Sequence, residues 1–151
     1  MRARRAIVLA VAALGCCWAL SCSKESPTSP GKKEKTEGAT VAGTLQLPAE
    51  APGKTFAVVI DDDTNSANGF VKVITGTCGS GTRISYQITE VPAGTYYLYA
   101  VVWVVSSPLT TPRSGDFVGF YGVQAGIASA PNATVPTSGR VTFDIQLIVM
   151  P

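Results

Sequence analysis

Few side chains in this chain can do chemistry. Its 151 residues include no histidine, which removes the commonest general base and the commonest protein metal ligand, and with them Ser-His-Asp, Cys-His and His-metal constellations. Among the remaining groups, Asp61, Asp63 and Asn65 place oxygen ligands at alternate positions of Asp61-Asp62-Asp63-Thr64-Asn65, as Ca²⁺ loops do when they collect a coordination shell. The run is not an EF-hand. Ser66 stands where the sharp turn needs glycine, and Lys72 where the closing glutamate belongs. A solvated turn after a strand, completed by Asn68-Gly69, explains the same residues. Calcium is the one cofactor the sequence leaves open, and it requires none.

Two further sets have two readings each. Trp103, Phe117, Phe120 and Tyr121 cluster with glycines around Gly115, Gly119 and Gly122. They form either a contact surface for a protein or glycan or a lid over one end of the fold, since aromatics bury much area at small entropic cost. Cys78, in Gly76-Thr77-Cys78-Gly79, is either a buried thiol or one open to another molecule; a nucleophilic role would need an activating base, for which Lys72 and Arg83 are thin support. A hydrolase would need Glu90, Asp116 and Asp144 to meet in one cleft, and their positions read as turns or outward strand sites. Asn132-Ala133-Thr134 matches a glycosylation acceptor and reads as a chance match.

The amino-terminal segment reads as an address. Arg2, Arg4 and Arg5 precede the uncharged run Ala6 to Leu20, too short for a bilayer span of about 20 apolar residues. The run leads into Ala19-Leu20-Ser21-Cys22, which resembles the lipobox of bacterial lipoproteins. That resemblance implies cleavage after Ser21 and diacylglyceryl modification of Cys22, so that acyl chains hold the protein on a membrane surface. Ser23, not being Asp, implies the outer membrane in a Gram-negative cell. Without residues 1–21 the chain keeps nine basic and ten acidic residues, a formal charge of −1 in place of +2. Nucleic-acid binding therefore has no electrostatic support. Residues 22–38 comprise the lipidated terminus and a polar tether that mixes Lys, Glu, Pro, Ser and Gly and can bury nothing.

Residues 39–151 make one domain, large enough for a core without disulfides or metals. Its apolar pattern has period two. Strands are expected over 41–47, 55–61, 70–75, 83–90, 95–105, 133–135 and 140–150, with Ile84, Tyr86 and Ile88 inward and a turn at Val91-Pro92-Ala93-Gly94 that suits a positive φ at Gly94. The stretch from Thr95 to Val105 is apolar on both faces, as in a central strand or a self-assembly interface. The expected fold is all-β, a single sandwich of about seven strands.

Val41 to Leu45, Tyr86 to Ala100 and Phe143 to Leu147 together resemble prealbumin-like (transthyretin-like) modules related to carboxypeptidase regulatory domains. The resemblance implies a Greek-key β-sandwich used as an accessory, adhesive or scaffolding module, with catalysis lying in other domains of that family's enzymes. The segment from Ser106 to Pro131 is longer than a hairpin loop, and it lacks the acidic loop that often precedes a Gly-Asp-aromatic stretch in related modules, so Asp116 stands alone there. The sequence thus points to a lipid-anchored, non-catalytic envelope protein that binds a protein or glycan, with a self-assembling surface subunit as the alternative.

Intact mass of the membrane-extracted protein tests the address: the expected species begins at a diacylglyceryl-modified Cys22 and carries a free thiol at Cys78. Processing at Cys17 would instead leave Cys22 able to pair with Cys78.

Overall fold

The computed structural model describes residues 38–65, 68–124 and 126–151. The signal-like segment, Cys22 and the tether up to residue 37 lie outside the described residues. Among the described residues the chain is all-β, with no helix. Its ten strands run β1 (Ala39–Gln46), β2 (Thr55–Asp61), β3 (Lys72–Thr77), β4 (Arg83–Val91), β5 (Gly94–Trp103), β6 (Phe117–Phe120), β7 (Ala133–Val135), β8 (Arg140–Thr142), β9 (Ile145–Gln146) and β10 (Ile148–Val149).

The strands form two sheets. The first has the order β4-β1-β8, with β9 continuing beside β1; the second has the order β10-β6-β5-β2-β3, with β7 alongside β5. All pairings are antiparallel except those of β8 and β9 with β1. Alternation decides which face each strand buries. In β4, Tyr86 and Ile88 point into the core while Ser85, Gln87 and Thr89 are exposed. Val41 and Leu45 join them from β1, facing Val58, Ile60, Leu98 and Val102 of the second sheet.

Strand β5 is apolar on both faces because it is central. It lies between β2 and β6, and its outward residues Val101 and Trp103 pack with Ala57 and Val59 in a second apolar cluster that Tyr99 and Val118 border. The doubly apolar run is thereby explained within one chain.

Three expectations are corrected. Phe117–Phe120 is a strand, although its glycine-rich sequence gives no alternating pattern. The stretch expected as one strand over 140–150 is three: β8 and β9 lie in the first sheet, and β10 crosses to the second to pair with β6. Gly94 has no positive φ. The left-handed conformation belongs to Glu90, at φ 57°, and Gly94 is needed because a Cβ there would strike the Tyr96 ring, whose hydroxyl donates to the carbonyls of Pro92 at 3.1 Å and Ala93 at 3.3 Å across the turn.

The sheet change at Leu147 depends on close backbone approach. Leu147 N–H donates to the Gln46 carbonyl at 2.9 Å, and on the other side a Cβ at Gly119 would run into the Gln146 carbonyl oxygen and backbone. Gly43 likewise leaves room for the Phe143 carbonyl, which accepts the Tyr86 hydroxyl at 2.6 Å.

Gly119→Ala should lower stability by about 1–3 kcal/mol, because backbone on a neighbouring strand must move. Gly79→Ala, with nothing within 4 Å of the added methyl, should leave the denaturation midpoint almost unchanged. Urea unfolding of both variants checks the contrast.

Candidate functional site

Among the described residues the most densely bonded polar group is Asp116, fully buried just before β6. Its Oδ1 accepts the backbone N–H groups of Val104 at 2.8 Å, Val105 at 2.9 Å and Ser106 at 3.2 Å. Its Oδ2 accepts Arg113 N–H at 2.9 Å and the Ser106 hydroxyl. Burial alone would raise the pKa of this carboxyl. The Ser106 hydroxyl and the N–H groups of Arg113, Val105 and Ser106 outweigh that effect and hold it well below the usual carboxylate range.

The main chain around Asp116 completes a clamp. Gly115 N–H donates to the Met150 carbonyl at 2.9 Å, and Met150 N–H donates to the Asp116 carbonyl at 2.7 Å. The intervening loop is fastened from its other side by the Trp103 indole, which donates to the Thr110 carbonyl at 2.8 Å. At the tip, Leu109 is held at φ 63° and is 70% exposed, with Val105 62% exposed at the loop's start. A leucine in the left-handed region is uncommon, and here bonds at both ends of the loop support it.

The four aromatic candidates divide between the two faces of the second sheet. Trp103 belongs to the outer cluster, and Phe120, half-buried, stacks on Tyr99 with centroids 5.1 Å apart. Phe117 is buried in the core between the sheets, and Tyr121 packs against that core with its ring 4.6 Å from Phe143. They do not meet as one surface. Asn132 is part of the fold: its Oδ1 accepts Leu98 N–H at 2.8 Å, and its Nδ2 donates to the Tyr121 carbonyl at 2.6 Å.

The remaining reactive groups lie apart. Cys78 is a buried free thiol, and burial pushes its pKa up, away from the nucleophilic thiolate. Glu90 is exposed at the end of β4. Asp144 lies on the first sheet, where Oδ1 accepts Thr44 N–H at 2.8 Å at the break between β8 and β9. It helps line a groove of about 240 Å³ with Thr44, Gln46, Arg83, Ile145 and Gln146, which the sequence pattern does not reveal. Arg83 is already engaged there, its Nε donating to Gln46 Oε1 at 2.8 Å.

Of the calcium candidates, Asp61 and Asp63 converge, and the third carboxylate beside them is Asp62. Asn65 contributes its backbone N–H to Asp63 Oδ1 at 2.7 Å. Burial raises the Asp61 pKa despite the lowering effect of nearby backbone N–H groups, and burial together with the Asp61 charge pushes Tyr99 up to about 12.

No family model, curated protein or solved structure matches this chain.

Asp116→Ala leaves several buried donors without an acceptor and should cost about 3–5 kcal/mol in chemical denaturation. Since the folded-state pKa is depressed, this stabilisation is complete above the unfolded-state pKa of about 3.9 and is lost as pH falls below it. The variant's stability should therefore vary less with pH over the acid limb than that of the natural chain.

Proposed function

We propose that the chain is a lipid-anchored envelope protein whose β-sandwich works by contact, without catalysis, and that the loop fastened by Asp116 is its contact surface for a protein. The observation that carries the reading is Leu109: an exposed leucine in an uncommon backbone conformation, beside exposed Val105, on a loop bonded at both ends. Backbone strain that the surroundings over-determine is found at binding sites, and apolar side chains on a pre-ordered loop bind with little further entropic cost.

A protein partner suits these groups better than a glycan. Aliphatic tips fit an apolar pocket, whereas sugar recognition favours open aromatic faces, and the Phe120 ring is stacked on Tyr99. Asp116 has five donors on its two oxygens, which suits a structural role better than proton transfer.

The lipid anchor rests on Ala19-Leu20-Ser21-Cys22, and an outer-membrane position on Ser23. The finer fold reading, a Greek-key sandwich of prealbumin type, draws support from the chain path. After β1 the chain makes the β2–β3 hairpin in the other sheet and returns as β4 beside β1.

The test compares the natural chain with Leu109→Asp, both anchored in their own membranes and photo-crosslinked from a probe at position 107. The expected result is a protein adduct that the charge abolishes while the melting temperature stays unchanged. An identical set of adducts from both chains would contradict the proposal.

A further inference from the structure

Asp61 ends β2 opposite Tyr97, on the face of the sheet that also carries Val59. It is only 2% exposed, and among the described residues its Oδ1 has no hydrogen-bond partner. A buried carboxylate oxygen without a protein donor is costly, and native structures seldom leave one unpartnered. Asp116, the other buried carboxylate, shows the usual solution, with donors on both oxygens.

The chain bends from Asp62 to Thr64, which breaks the strand rule that neighbouring side chains diverge. Each of Asp61, Asp62 and Asp63 can present one carboxylate oxygen within 4.8 Å of those of the other two. The loop braces this convergence: Asp63 Oδ1 accepts Asn65 N–H at 2.7 Å and Oδ2 accepts the Asn68 amide at 2.6 Å. Each of these oxygens retains acceptor capacity beyond that one bond. Three anionic groups thus surround a point towards which no cationic side chain of the described residues is bonded.

We propose that Asp61, Asp62 and Asp63 bind a Ca²⁺ ion at the end of β2. Two oxygens on one Ca²⁺, each at about 2.3–2.6 Å, lie at most about 4.6–5.2 Å apart, so the observed convergence falls within one coordination sphere. Mg²⁺, with shorter bonds and a demand for octahedral geometry, fits three consecutive, unevenly buried carboxylates less well. Water completes the shell on the side of exposed Asp62, which is also the route of entry. The ion supplies the partner that Asp61 Oδ1 lacks and ties the bend to β2. With few protein ligands and an open side, the affinity belongs to the weak range of extracellular sites, about 10⁻⁴–10⁻³ M.

Two readouts on the purified full-length chain test this. Thermal unfolding in about 10 mM Ca²⁺ should raise Tm by roughly 5 °C over chelator, and Tb³⁺ should luminesce on excitation of Tyr97 and Tyr99, with Ca²⁺ quenching the signal competitively. Asp61→Asn and Asp62→Asn should each abolish both responses, while Glu50→Gln, an exposed charge loss elsewhere, should keep both. Asp62 is exposed, so its variant decides the matter if Asp61→Asn does not fold. Absence of either response in the natural chain, retention of both by Asp62→Asn, or an equal Tm rise with Mg²⁺ would overturn the proposal.

Discussion

Residues 140–149 belong to both sheets, and the rest of the sandwich depends on that shared segment. It enters as a parallel partner of β1, breaks at Phe143-Asp144, resumes as β9, and crosses at Leu147 to pair with β6. Where the ladder breaks, side chain and backbone replace it: Asp144 accepts Thr44 N–H, and Phe143 N–H reaches the Ala42 carbonyl at 2.8 Å. The crossing leaves no room for side chains at Gly43 or Gly119. Beyond β10, Met150 is tied to Asp116 by its N–H, so the closure of the fold and the shape of the loop are one structure.

Asp116 links that closure to the loop proposed as the contact surface. Its carboxylate gathers the end of β5, Ser106 and Arg113, while its backbone grips the chain's end. An acid surrounded by so many donors is a poor proton carrier at neutral pH and a good brace. The brace fixes a loop whose tip exposes an aliphatic side chain. Asp61 has the opposite surroundings at the other end of β2: equally buried, short of donors and crowded by two more carboxylates. Two buried aspartates in one small domain thus call for different partners, protein N–H groups for one and a cation for the other.

Much of the fold was legible in the sequence, and particular residues show why the remainder was not. Strands β2 and β7 lie where alternation and turn residues put them, because their neighbours agree with their own pattern. Strand β6 escaped because Gly119 sits where an inward side chain would have marked the period, and that glycine is there to admit the Gln146 carbonyl. The closing segment read as one strand because Val141, Phe143, Ile145 and Leu147 alternate without interruption, and a change of partner sheet leaves no mark on alternation. Asp116 could be singled out as an acid but not as a hub, since its ligands are mostly backbone N–H groups, which every residue but proline has. The aromatic set reads in sequence as one group, either a contact surface or a lid; strand direction separates Phe117 from Phe120, because odd and even positions of β6 face opposite ways.

Native-state hydrogen exchange measures the central claim most directly. The amides of Phe143, Leu147 and Met150, near the chain's end, donate to Ala42, Gln46 and Asp116. If the shared segment holds the two sheets together, these amides exchange only through global unfolding, with the same opening free energy as core amides of β2 and β5. Exchange of the three through a separate, lower-energy opening that leaves β2 and β5 protected would contradict the account.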